Sequence, residues 1–177
     1  ERRLALGRAE RAGGSVGPAR GLSKKYTNED GSDKVLFDDL NLKIGRGERW
    51  GIIGPNGAGK TTLVRTLLGD QQADSGTVKL GSKLEVGYFR QTDEGLDPER
   101  MLYRQMQDLI KKETNEKVIL SEQEARSLAG AFLFSGRDQE KEVGILSGGE
   151  RARVRLAALL ACAKNVLVLD EPTNHLD

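Results

Sequence analysis

Two spacings of apolar residues divide this chain. In its first half, apolar and polar positions alternate. Residues 22–26 and 35–44 form short strand-like runs, with Leu40, Leu42 and Ile44 separated by polar residues, and the polar stretch TNEDGSDK at 27–34 reads as the turn between them. Trp50, Gly51, Ile52 and Ile53 form a short apolar segment that runs straight into a glycine-rich loop, and TTLVRTLLG at 61–69 then reads as a helix stopped by Gly69. Strand, loop and helix thus follow one another directly. Alternation returns at Val78 and Leu80, and again at Leu84, Val86 and Tyr88, around Gly81 and Ser82, which predicts a hairpin.

Helical spacing then takes over. Asp97 and Pro98 suit the N-cap and first position of a helix whose apolar stripe is Leu102, Met106, Leu109 and Ile110. SEQE at 121–124 has the form of a capping box, with Ala125, Leu128, Ala129 and Phe132 as the next stripe. A third helix follows LSGGE, with Ser147 as its N-cap and Val154, Leu156, Leu159, Leu160 and Ala163 as its apolar positions. These stripes are core positions of a helical insert. Residues 166–169 are a four-residue apolar run of the kind buried on both faces of a parallel sheet. At the other end, residues 1–21 carry five arginines and two glutamates interrupted by Gly13-Gly14 and Gly17-Pro18, and read as the tail of a helix running into a solvated linker, with an RNA-contacting arm the competing reading.

Composition narrows the class. With 177 residues, 37% of them hydrophobic, the chain supports one core-bearing domain with attachments. Charged residues balance to a formal +1, so net charge does not announce a nucleic-acid binder. The longest apolar stretch, 156–163, falls far short of the roughly 20 residues that span a bilayer, and a cytoplasmic protein with no membrane insertion is expected. Cys162, the single cysteine, excludes an internal disulfide framework and reads as core. The first residue is Glu1, and both ends read as cuts in a longer protein.

The chemistry sits in three motifs. GPNGAGKT at 54–61 matches the phosphate-loop pattern and lies between a buried strand and a helix, where that pattern must lie. Glycines let successive N–H groups turn inward around phosphates. The candidate nucleotide-binding set is therefore Gly54, Pro55, Asn56, Gly57, Ala58, Gly59, Lys60 and Thr61, with Thr62 beside it. Lys60 supplies positive charge to the outer phosphates, and the Thr61 hydroxyl suits Mg2+. In LSGGE at 146–150, Ser147, Gly148 and Gly149 open a helix with a hydroxyl and unobstructed N–H groups, a second anion site. Arg151 and Arg155 lie four apart on that helix and read as a solvated face, with a partner contact the competing reading. At the end of the last apolar run, Asp170 would hold Mg2+ while Glu171 orients the water that attacks the γ-phosphate. His175 is a lone histidine in a turn and suits a structural hydrogen bond.

Together GPNGAGKTT, GYFRQ, LSGGE and LVLDEPTNHLD, in this order and approximate spacing, resemble an ATP-binding-cassette domain over residues 20–177. The resemblance implies an α/β P-loop NTPase fold with an antiparallel β subdomain and an inserted α-helical subdomain at about 95–160, incomplete at its C-terminus. Residues 1–20 would then be the end of an interdomain linker and 21–177 the ATPase domain. It also implies that Gln91 contacts Mg2+ and the lytic water, that Glu171 is the catalytic base, and that residues 174–177 contact a partner cassette. Tyr26 would stack on adenine, with Phe37 the competing aromatic. Such cassettes close ATP between the phosphate loop of one and the LSGG segment of another. One chain therefore needs a second cassette, on the same polypeptide or in a homodimer, and alone should hydrolyse ATP poorly.

Glu150, the aromatic in GYFRQ and EPTNHLD resemble the ABC-F group, whose members carry two cassettes and act on the ribosome as translation factors. By that resemblance this is the second cassette, with ribosomal RNA a partner. A transporter's ATPase subunit and a nucleotide-dependent binding module are the competing readings.

Overall fold

The computed structural model describes residues 5–9, 15–45, 48–55, 57–79, 84–90 and 92–170, and for 5–9, 15–16 and 170 the backbone alone. They fall into two units. One gathers the described residues of Glu1–Tyr88 and Lys164–Glu171, the other those of Phe89–Ala163.

The first unit holds two sheets. β2 (Ser15–Thr27) and β3 (Asp33–Gly45) form an antiparallel hairpin, and β5 (Ser75–Val78) joins the free side of β2. The alternation at Leu40, Leu42 and Ile44 turns Leu42 and Ile44 into a core with Ala19, Leu22, Ile52, Leu63, Val64, Leu67 and Val168. The second sheet runs in the order β1 (Ala5–Ala9), β4 (Arg49–Gly54), β7 (Val166–Asp170), β6 (Val86–Phe89). β4 and β7 are parallel, as the unbroken apolar run at 166–169 predicts, and Val166, Leu167 and Val168 are buried. Asn165 sets the entry to β7: its carbonyl accepts from Trp50 N at 2.8 Å, and its side-chain oxygen accepts from Glu85 N at 2.9 Å.

Two expectations are corrected in this unit. Residues 5–9 form a strand, not the tail of a helix, and pair antiparallel with β4 from Ala5↔Ile53 to Ala9↔Arg49. An otherwise open edge of β4 offers N–H and C=O groups that an extended segment satisfies, and arginine and glycine content says nothing about that partner. The strands around Gly81 and Ser82 also exist, yet they make no hairpin. β5 pairs with β2, while β6 belongs to the other sheet. Alternation marks a strand; its neighbour is decided by tertiary packing.

The second unit is helical: α2 (Leu102–Glu113), α3 (Glu122–Ala131) and α4 (Gly148–Ala161), with 3-10 turns at Asp138–Glu140 and Val143–Ile145. Leu102, Met106, Ala129, Val154 and Ala157 meet in one core with Phe134, Val143 and Leu146. Cys162 packs with Ile110 and Ala158, its thiol donating to the Ala158 carbonyl at 3.0 Å. Both serine-initiated helices carry complete capping boxes, Ser121 with Glu124 and Ser147 with Glu150. Asp97 is a correction. Its carboxylate caps a separate turn, accepting from Glu99 N at 3.0 Å, and α2 starts only after Met101, whose extended backbone bridges to Glu142.

Candidate functional site

The phosphate loop joins β4 to α1 (Lys60–Leu68). Its bend needs two left-handed glycines, Gly57 at φ +80 and Gly59 at φ +99, and a Cβ on Gly59 would come 3.0 Å from Leu36 Cβ. Ala58 N donates to the Pro55 carbonyl at 3.1 Å. No side chain caps α1, so its N-terminal N–H groups keep the polarity that suits an anion. Lys60 is buried at 6% exposure, and its ammonium donates back to the Gly54 carbonyl at the start of the loop.

A cavity of about 370 Å³ opens against this loop, lined by Tyr26, Asn28, Lys34, Leu36, Gly57, Gly59, Lys60, Thr61 and Thr62. That volume lies in the range of small-molecule sites. The β2–β3 hairpin brings Tyr26 there. Its connection is fixed by Asn28 N to the Ser32 carbonyl at 2.8 Å, by Ser32 N to Asp30 Oδ1 at 2.9 Å, and by Thr27 Oγ1 to Asp33 Oδ1 at 2.8 Å. Gln71 Nε2 donates to the Tyr26 hydroxyl at 3.4 Å; this bond first, then one with Thr62, holds the phenol below its ordinary pKa. Phe37, the competing aromatic, is buried in the core and is not among the lining residues.

Gly54 and Asp170 are paired in the parallel register of β4 and β7. The first residue of the phosphate loop and the end of the apolar strand thus reach the same edge of the sheet, where ligands bind in α/β folds. Asn56, Gln91, Glu171, His175 and the rest of residues 171–177 lie outside the described residues. Ser147, Gly148 and Gly149 belong to the helical unit, where Ser147 Oγ accepts from Glu150 N at 3.2 Å and Ser147 N donates to Glu150 Oε1 at 3.2 Å.

A family model described as ABC transporter matches residues 37–174. The chain belongs to the ABC transporter family. It is 41% identical over 170 residues to the energy-dependent translational throttle protein EttA of Escherichia coli K12, an alignment covering 94% of this chain and 29% of that protein. The chain therefore spans less than a third of that relative's length. Among solved structures, an ABC transporter ATP-binding protein from Pyrococcus furiosus aligns with a TM-score of 0.61 at 22% identity, covering 91% of this chain and 78% of that one. The cbiO1 subunit of the ABC transporter complex cbiONQ from Clostridium perfringens aligns at 0.55 and 28% identity, covering 93% and 68%. The fold is the P-loop NTPase fold of ABC cassettes, which as a family are ATPases.

Lys34, Asn28 and Leu36 line the cavity and carry no sequence motif. For Lys34 a signal existed in the hairpin: a turn that closes between Thr27 and Asp33 pairs Tyr26 with Lys34.

Proposed function

We propose that this chain is an ATP-binding and ATP-hydrolysing cassette of the ABC-F type, cytoplasmic, which closes with a second cassette on ATP and so controls ribosome binding and translation. The observation that carries this reading is its 41% identity, over 94% of its length, to a protein named as an energy-dependent translational throttle. In the reading, Tyr26 stacks on adenine, while the loop from Gly54 to Thr62 and Lys60 hold the phosphates. Ser147, Gly148 and Gly149 cover ATP bound to the partner cassette.

Thr61 at the cavity and Asp170 at the matching sheet edge offer the hard oxygen donors that suit Mg2+, with Gln91 the third group by family resemblance. When bound with ATP, the ion neutralises charge on the β- and γ-phosphates. Glu171 is the candidate base that takes a proton from the attacking water.

The test is Glu171→Gln in the intact polypeptide, with the matching change in any second cassette, followed by co-sedimentation with ribosomes with and without ATP. ATP-dependent retention is expected, because removing the base leaves the closed state standing. Absence of retention with ATP bound would sink the ribosomal reading. It would favour the second one, an ATPase subunit of a membrane transporter, which the likeness to the cbiO1 subunit supports.

A further inference from the structure

Two ammonium groups grip the phosphate loop at carbonyls three residues apart. Lys60 donates to the carbonyl of Gly54 at its start, and Lys34 Nζ donates to the carbonyl of Gly57 near its tip at 2.6 Å. Only the first belongs to the motif. Lys34 comes from β3, directly opposite Tyr26 in the β2–β3 register. Both Tyr26 and Lys34 line the 370 Å³ cavity with Lys60, Thr61 and Thr62.

The charge of that lining is one-sided. Its nine residues include two lysines and no aspartate or glutamate. An ammonium carries three donors and no acceptor, and a backbone carbonyl takes one of them. A charged donor beside a wall with no acid is complementary to an oxyanion, and a charge-assisted bond to phosphate is stronger than one to a neutral carbonyl. Lys34 is also exposed, so reaching such an anion costs it little desolvation.

We propose that Lys34 is a second cationic ligand of the nucleotide's polyphosphate, acting from the β2–β3 hairpin on the same side of the cavity as Tyr26. The inference rests on the nucleotide reading of the cavity and assigns a contact outside the phosphate-loop motif. Tyr26 and Lys34 then divide one hairpin between two parts of one ligand, the aromatic taking the base and the ammonium taking charge. A β2–β3 hairpin displaced from the loop would lose both contacts together.

The experiment is titration of the intact chain with ATP and, separately, with adenosine, for wild type, Lys34→Met, Lys34→Arg and Lys60→Met, with nuclear magnetic resonance shifts as the readout. Lys34→Met should weaken ATP binding about 3- to 10-fold, the size of one partly solvated charge-assisted contact, and leave adenosine binding within twofold. Lys34→Arg should retain ATP affinity within about twofold, because the charge and the donors remain. ATP affinity unchanged in Lys34→Met while Lys60→Met loses it would overturn this assignment and leave the nucleotide reading intact. An equal loss of ATP and adenosine would also overturn it, because the lysine would then act only on the shape of the cavity. If wild type bound no ATP, the nucleotide reading and this inference would fall together.

Discussion

Arg155 Nη1 donates to the carbonyl oxygen of Glu94 at 2.6 Å, and the same nitrogen also reaches the carbonyl of Thr92. One helical turn earlier on α4, Arg151 Nε holds Asp93 Oδ1 at 3.0 Å, while its Nη1 holds the Leu146 carbonyl at 2.7 Å. The two arginines that read as a solvated face in sequence instead fasten residues 92–94 to the helix that LSGGE opens. Those residues directly follow Gln91.

Arg155→Met should therefore release this segment. Loss of the bonds to two partly solvated carbonyls costs about 1 kcal/mol. Amide hydrogen exchange across residues 92–95 should speed up while exchange within α2 stays the same. Equal exchange in both proteins would mean that the guanidinium does not restrain the segment.

Gly59→Ala should damage the phosphate loop twice over. A left-handed backbone costs an alanine about 1–2 kcal/mol, and its methyl would press on Leu36 Cβ at 3.0 Å. Urea unfolding should show lower stability, and ATP titration weaker binding. Measured against a Leu36→Gly background, which lacks that Cβ, Gly59→Ala should cost only the backbone strain, so the recovery should be partial. Full recovery would place the whole cost in the contact.

The capping box of α4 separates glutamate from glutamine and from alanine at position 150. Glu150→Ala deletes the acceptor for Ser147 N, and about 0.5–1 kcal/mol of stability should go with it. Glu150→Gln keeps an acceptor oxygen in the same place and should stay within about 0.5 kcal/mol of wild type. Denaturant midpoints at equal slope would decide it, and equal loss in both variants would mean that the carboxylate charge at the helix start is what matters.

Acid should reach Asp138 late. Lys141, donating to its carboxylate at 2.7 Å, and then the Ser135 hydroxyl lower its pKa from 3.8 to about 2. A depressed carboxylate stabilises the fold above its ordinary pKa, and that contribution is lost as the pH falls from about 4 towards 2. Carboxyl-carbon resonances should give a midpoint near 2 in wild type, moved upward by Lys141→Met. A wild-type midpoint near 3.8 would mean that the pairing does not persist in solution.

Most of the cavity lining was legible because a phosphate-loop pattern is written in a short local motif. Gly57, Gly59, Lys60, Thr61 and Thr62 needed only the local pattern, and the parallel partner of β4 was implied by the apolar run before Asp170. Ser147 was legible for the same local reason: a cap is made within four residues. What escaped depends on partners far away in sequence. Lys34 meets Gly57 across 23 positions, and Arg155 meets Glu94 across 61. The missed strand at residues 5–9 and the β5–β6 hairpin that does not form have the same cause: β4 and β2 were the partners, and no local spacing names them.

The ladder that pairs Gly54 with Asp170 also has an evolutionary side. Hydrogen bonds between β4 and β7 set the spacing of these two residues, not the amount of polypeptide threaded between them, and the whole helical unit falls inside that interval. Insertions and deletions there change the helical unit while the two ends of the excursion return to the same rung. A lineage can thus lengthen or shorten this excursion without moving the two strand ends, and sequence divergence in this chain's relatives should gather between residues 92 and 145, ahead of the LSGG segment, rather than at the strands that bracket the unit.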